Sequence, residues 1–237
     1  MKNYLKSKFP NLLNVYYFFR FYIRFFYRKQ VRHHILWKAT FGDKRLYKNL
    51  NLNSDSLFFD VGAHEGSVTS EIYNTYKCNI YSFEPDKETY NNLASIYEEN
   101  DKVSIYNFAL SNFSGRASID TEYGSESFKL INDKNSSNNN VEVKNIVEFI
   151  SDNKLEKIDV LKLNVEGSEF EILNILISSK FINKIECLII QFHKNTEKAT
   201  EERERIIKNL NLTHKNEFSY YFVWEKWNIR QNNNFFK

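Results

Sequence analysis

The stretch from Leu57 to Ser70, LFFDVGAHEGSVTS, decides how this chain is read. Leu57, Phe58 and Phe59 form a short apolar run that reaches Asp60 and then two glycines, Gly62 and Gly66. Beyond them Val68, Ile72, Tyr73 and Tyr76 recur at helical spacing. The pattern predicts a strand, a glycine turn and a helix. In an open α/β sheet, ligands bind at the carboxyl ends of the strands, and glycine lets the backbone approach a ligand beside a helix N-terminus. Asp60, Gly62, His64 and Gly66 are therefore candidate cofactor-binding residues.

The turn is not a dinucleotide fingerprint, because the second glycine of G-x-G-x-x-G is replaced by His64. A second strand, Ile80 to Phe83, ends at Glu84-Pro85, and Glu84 lies 22 residues beyond Gly62. A carboxylate there is placed to accept hydrogen bonds from a ribose. NAD and S-adenosylmethionine both carry one, so these residues leave the cofactor open. Asp86 can cap a helix bearing Tyr90, Leu93, Ile96 and Tyr97 on one face. Val103, Ile105, Tyr106 and Phe108 then form a third strand, at whose end Asn107, Ala109 and Ser111 are candidates to line an adenosine, although Ser111 reads equally well as a turn residue. A fourth strand, Ile158 to Leu163, ends at Asn164 and leads through Glu166 and Glu169 into a helix with Phe170, Leu173 and Ile177. A fifth, Ile185 to Phe192, brings Gln191 and His193 to the same end.

Four pieces in order, FFDVGAHEG (58–66), SFEPD (82–86), FALSNFSG (108–115) and VLKLNVEGSEFEIL (160–173), resemble the FkbM family of S-adenosylmethionine-dependent methyltransferases, and LIIQFH (188–193) extends the match. The resemblance implies a class I methyltransferase fold, a Rossmann-like, doubly wound and mostly parallel sheet. It also implies S-adenosyl-L-methionine as cofactor and O-methylation of a sugar or similar hydroxyl in glycan or secondary-metabolite synthesis. In such folds the end of the fourth strand presents polar groups to the substrate, which makes Asn164 a site candidate. Glu166 and Glu169 fit either a site or the acid preference of a helix N-terminus. His64 stands where the family commonly shows Asn, which favours a loop-shaping or cofactor-contact role. The short helix at Val147 to Ile150 lacks the acid usual there, so no catalytic role is carried over.

Methyl transfer to a hydroxyl needs positioning and removal of a proton. An unperturbed imidazole is mostly neutral at pH 7, so His193 is the candidate base, with Asn164 and Glu166 beside it. Its alternative is a polar residue satisfied by loop backbone. Asn164 and Gln191 are amides where relatives generally carry acids, and the expectation is transfer without a metal. The same amides motivate a second reading, an inactive, cofactor-binding interaction protein. An NAD-dependent oxidoreductase is a third, disfavoured by His64.

At 237 residues the chain accommodates one α/β domain, expected over 41–237, with an N-terminal extension over 1–40. A net charge of +3 and no compact Lys/Arg run give no argument for nucleic acid; the expected partner is a small-molecule or glycan acceptor. Residues 10–37 combine dense aromatics with Arg20, Arg24, Arg28 and Arg32, spaced by four as on one stripe of an amphipathic helix. Arginines interrupt the apolar run well short of the ~20 residues of a membrane span. Two readings stand open: a helix at an anionic membrane surface, or one packed on its own domain or on a second copy in a homo-oligomer. Thr40 to Ser56 reads as a polar connector with a short helical piece at Lys44–Leu50. ASID and SFKLI suggest a hairpin carrying a mobile loop at NDKNSSNNN, and residues 228–237 read as frayed. Cys78 and Cys187 lack metal-ligand spacing and read as reduced packing residues of a cytoplasmic protein, at the inner membrane face if the N-terminal helix binds lipid.

Overall fold

The computed structural model describes residues 10–120, 127–129 and 140–230. Its main sheet has seven strands: β1 (Leu57–Val61), β2 (Asn79–Phe83), β3 (Val103–Tyr106), β8 (Ile158–Leu163), β9 (Ile185–Ile190), β10 (His214–Tyr220) and β11 (Trp224–Ile229). Their order is β10-β11-β9-β8-β1-β2-β3. The pairs β9–β8, β8–β1, β1–β2 and β2–β3 are parallel, whereas β11 runs antiparallel to β9. The order turns back at β1, since the chain goes outward from β1 through β2 to β3 and then resumes at β8 on the other side. That places the carboxyl ends of β1 and β8 side by side, with Val61 opposite Leu163. The sheet is the class I methyltransferase arrangement, and its switch point is where a doubly wound fold binds its ligand.

Strands covered on both faces must be apolar on both sides. Phe58, Phe59, Ile80, Leu161 and Leu163 are accordingly buried. On one face the rings of Phe59, Phe83, Tyr106, Phe108 and Phe149 cluster, with Phe83 centred 5.2 Å from both Tyr106 and Phe149. The helix α4 (Ser67–Tyr76) follows the glycine turn and buries Thr69 and Ile72. Asp86 caps α5 (Lys87–Ile96) by accepting a hydrogen bond from the Thr89 amide at 2.8 Å. Leu93 of that helix is buried, but Ile96, read as sharing its face, is 68 % exposed at the helix's last residue.

The third strand stops at Tyr106, and the chain crosses into a second, four-stranded sheet ordered β4-β7-β5-β6. Its strands are β4 (Ala109–Ser111), β5 (Gly115–Asp120), β6 (Ser127–Lys129) and β7 (Asn140–Asn145). The hairpin read from ASID and SFKLI is the antiparallel β5–β6 pair. Of the NDKNSSNNN run only Asn140 belongs to the described residues. Asn145 caps α6 (Ile146–Asp152), which carries Phe149 back to the main sheet. The helices α7 (Glu169–Ser178) and α8 (Ala199–Thr213) complete the domain, and β11 continues through Ile229, past the point read as frayed.

The chain divides into two compact units. One comprises residues 49–219 and 224–230; the other runs up to Lys48 and takes in Tyr220–Val223, the tip between β10 and β11. In this second unit the N-terminal segment forms α1 (Pro10–Tyr27), α2 (Lys29–Ala39) and α3 (Gly42–Arg45). Arg28 lies between α1 and α2 in extended conformation (φ −107°, ψ 95°), so the four arginines do not share one helix as their spacing predicts. Packing of α2 accounts for the change of course. Trp37 is buried, its ring 5.2 Å from that of Tyr220, and its Nε1 donates to Asp43 at 2.7 Å. Gln30 donates to the Phe222 carbonyl, and the Lys29 ammonium lies 4.2 Å over the Tyr221 ring. At Gly42 any Cβ would come within 2.0 Å of the Trp37 ring. The segment Thr40 to Ser56 is thus more than a polar connector, since Leu46, Tyr47 and Leu50 are buried and the helical piece falls at Gly42–Arg45.

Candidate active site

The glycine turn is built by its neighbours. Gly62 has φ +79°, and a Cβ there would stand 2.0 Å from the carbonyl oxygen of Asn164, so glycine is required both by conformation and by the closeness of β8. The amides of Gly62 and Ala63 both donate to the Phe83 carbonyl at 3.1 Å. His64 takes the left-handed conformation (φ +50°), which His and Asn adopt more readily than most residues. Its side chain is exposed and its amide donates to Glu84 at 2.8 Å. Its main chain helps to shape the loop through this bond.

Glu84 closes this side of the mouth. Its other oxygen accepts from the Asp86 amide at 2.9 Å, and the Asn107 side-chain amide donates to the carbonyls of Glu84 and Pro85 at 3.0 Å. A carboxylate offers about four lone-pair sites, so these bonds orient Glu84 and are compatible with ribose hydroxyls. Ala109, read as a cofactor contact, instead packs its methyl in the core of the small sheet with Ala117 and Val143. The reason is the early end of β3, which turns Ala109 into β4.

Asp60 lies beneath the turn. It is fully buried, with Oδ1 accepting from Lys162 Nζ at 2.7 Å and Oδ2 from Thr69 Oγ1 at 2.8 Å. Lys162 also donates to the Gly62 carbonyl at 2.8 Å. Asp60 therefore orders the turn from below, through Lys162 and Thr69, with both oxygens engaged by protein groups. Lys162 was not singled out from the sequence, although a lysine inside the apolar run VLKLN is itself a signal that a buried partner exists.

At the ends of β8 and β9 the structure brings Asn164, Glu166, Glu169 and His193 together. Glu169 is fully buried; its Oε1 accepts from the Val165 amide at 3.0 Å and lies 2.7 Å from His193 Nδ1. Glu166, in the left-handed conformation at φ +54°, sits 3.3 Å from His193 Nε2. Burial alone would push the imidazole below its ordinary value, but the hydrogen bonds and charges of Glu166 and Glu169 outweigh it and hold the pKa at about 9. In turn the hydrogen bond from His193 lowers the pKa of Glu166 against the effect of its burial. His193 is thus an imidazolium at neutral pH. This corrects the premise of the sequence reading, which gave it the part of a neutral base; an imidazole that already holds its proton cannot take another. Two buried oxygens here, Asn164 Oδ1 and Glu169 Oε2, have no hydrogen-bond partner. An unpaired buried acceptor costs about 1–3 kcal/mol, which is offset when a bound molecule donates to it. Gln191 donates from its main-chain N–H to the Leu163 carbonyl at 2.9 Å.

Residues 60–220, well over half of the chain, match the family model described as a methyltransferase FkbM domain. The chain belongs to the FkbM methyltransferase family. No curated protein matches it in sequence. Among solved structures it resembles a protein assigned as an rRNA methylase from Clostridium thermocellum, at 9 % identity over 80 % of this chain and 94 % of that one, with a TM-score of 0.49. An rRNA methylase from Streptococcus thermophilus aligns at 11 % identity over 76 % and 90 %, TM-score 0.44. M. capricolum TrmK bound to S-adenosylhomocysteine aligns at 13 % identity over 80 % and 68 %, TM-score 0.45. The cofactor of this FkbM methyltransferase is S-adenosylmethionine, and the residues present fit it: a carboxylate at the end of β2 and a close-packed glycine turn.

Both cysteines are buried, and burial pushes their thiols up to about 11 for Cys78 and about 12 for Cys187, as expected of packing residues. A further buried pair joins α8 to the sheet. Arg203 Nε donates to Glu225 at 2.7 Å, and Trp227 Nε1 donates to the other Glu225 oxygen at 3.1 Å.

Proposed function

We propose that the protein methylates a hydroxyl of a sugar or a similarly polar acceptor, held between Glu169, Asn164 and the edge of the small sheet. The observation that carries this reading is the pair of partnerless buried oxygens, Asn164 Oδ1 and Glu169 Oε2, at the mouth of a methyltransferase sheet. Hydroxyl-rich acceptors donate hydrogen bonds; an apolar acceptor would leave both oxygens unpaired. A recess lined by Ala109, Ser111, Phe113, Ser168 and Glu171, of which Ser168 precedes Glu169 in the chain, offers polar contacts and one ring face, a combination suited to a sugar.

Bound S-adenosylmethionine supplies an electrophilic methyl group. The chain's own residues hold the two reactants in line and receive the hydroxyl proton. Glu169 Oε2 is the carboxylate oxygen without a hydrogen-bond partner and takes that proton, and His193 donates from Nδ1 to Oε1 of the same carboxylate, fixing its direction. His193 is accordingly a positioning residue, with Glu166 bracing its far nitrogen. Glu84 and Asn107 orient the cofactor side.

Transfer of a labelled methyl group from S-adenosylmethionine, screened across hydroxyl-bearing glycans, small sugars and total RNA, tests the proposal. The expected product is an alkali-stable methyl ether. Label appearing in RNA, or only on nitrogen or carboxylate groups, would overturn it.

A further inference from the structure

We infer that α1 is an interfacial helix that docks the protein on an anionic lipid surface. Eighteen residues at 1.5 Å each make a rod of about 27 Å, and most of its described aromatic side chains are exposed. Tyr16, Phe18, Phe19, Phe21, Tyr22 and Tyr27 are 52–84 % exposed. At about 200 Å² of surface apiece these six leave on the order of 700 Å² of aromatic area in water, more than the largest apolar patch of a typical monomeric soluble protein. Something covers it.

Charge decides what. Residues 1–42 contain nine Lys and Arg and no Asp or Glu, so the chain's net +3 is nine positive charges here against −6 in the remainder. A second copy of α1 would set like charge against like with no acid on the helix to pair it. A bilayer bearing anionic headgroups offers both a sink for the rings and countercharge for the arginines. Among the described residues no helix is long and apolar enough to cross a membrane. Arg20 lies in mid-helix and exposed, so the helix sits at headgroup depth with its guanidinium reaching outward to the phosphates. Tyrosines suit the same depth, with an apolar ring and a hydroxyl for the headgroup layer.

Sedimentation of the full-length protein with phosphatidylcholine vesicles, with and without phosphatidylserine, tests the inference. Binding is expected only with phosphatidylserine and should weaken steeply as salt is raised. The triple variant Phe18→Ser, Arg20→Glu, Tyr22→Ser should bind those vesicles at least tenfold more weakly and keep its affinity for S-adenosylhomocysteine, which reports that the catalytic unit is folded. Equal binding by variant and wild type would overturn the inference. So would wild-type binding that ignores both phosphatidylserine and salt, a readout that needs no variant. Stronger binding to single-stranded RNA than to vesicles, or a dimer that the triple variant dissolves without any change in vesicle binding, would reassign the helix to those occupants.

Discussion

Asp60 and Glu169 are both carboxylates with no exposed surface, and each faces a cation at the carboxyl end of the same sheet. Their surroundings differ in one respect. Under the glycine turn every oxygen is used: Lys162 and Thr69 take the two oxygens of Asp60, and Thr69 also meets Ser82 at 2.7 Å. At the end of β8 one Glu169 oxygen is bonded twice and the other not at all. A closed network holds shape; an open one reserves capacity for something that arrives. The comparison separates buried charge satisfied within the fold from buried charge with one oxygen left over, which a count of ion pairs would merge.

The largest effect should come from breaking the closed network. Lys162→Met leaves Asp60 buried without its cation and should cost about 3–5 kcal/mol, measured by urea denaturation. Adding Asp60→Asn removes the stranded charge and should recover part of that loss. If the single variant is as stable as wild type, Asp60 and Lys162 are not coupled as described.

Glu169→Gln probes the open network. It should lower turnover by about 10²-fold while S-adenosylhomocysteine still binds within a small factor, and denaturation should show far less loss than Lys162→Met. Near-normal turnover on an identified acceptor would return Glu169 to a merely structural role. On the cofactor side, Glu84→Ala should weaken S-adenosylhomocysteine at least about tenfold, since hydrogen bonds to a charged acceptor contribute ~1.5–3 kcal/mol. Calorimetry showing unchanged affinity in a folded protein would remove Glu84 from the site.

The gentlest probe is pH. His193 has a folded pKa of about 9, above its ordinary 6.5. Its contribution to stability is therefore fully present below about 6.5 and is lost as pH rises through about 9. Turnover that needs the imidazolium to aim Glu169 should fall over the same upper limb, whereas a neutral-imidazole base would make it rise there. A rising limb would restore His193 as the base. Glu169→Gln should lower the pKa of His193 itself, read by NMR titration of its imidazole, because one of the two carboxylates that raise it is gone.

Much of this was legible before any coordinates. Strand, glycine turn and helix at Leu57–Tyr76 announce themselves through a change of period at two glycines, and strand ends at Glu84, Asn164 and Gln191 follow from where apolar runs stop. What escaped is long-range. Nothing near Lys162 says that its partner is Asp60, and Arg203 reads as one more charge in EERERIIK until Glu225 is brought across from β11. The protonation of His193 was invisible for the same reason, since it depends on two carboxylates 24 and 27 positions away. The break at Arg28 carries no glycine or proline, and only packing around Trp37 reveals it.

The contact between Gly62 and the Asn164 carbonyl has a consequence for how such an enzyme can change. The floor of the cofactor turn and the sill of the acceptor mouth have no clearance between them, since the smallest possible side chain at position 62 would arrive 2.0 Å from that oxygen. The two half-sites are thus machined to one gauge. On the function proposed above, the spacing between donor and acceptor is held by a missing methyl group.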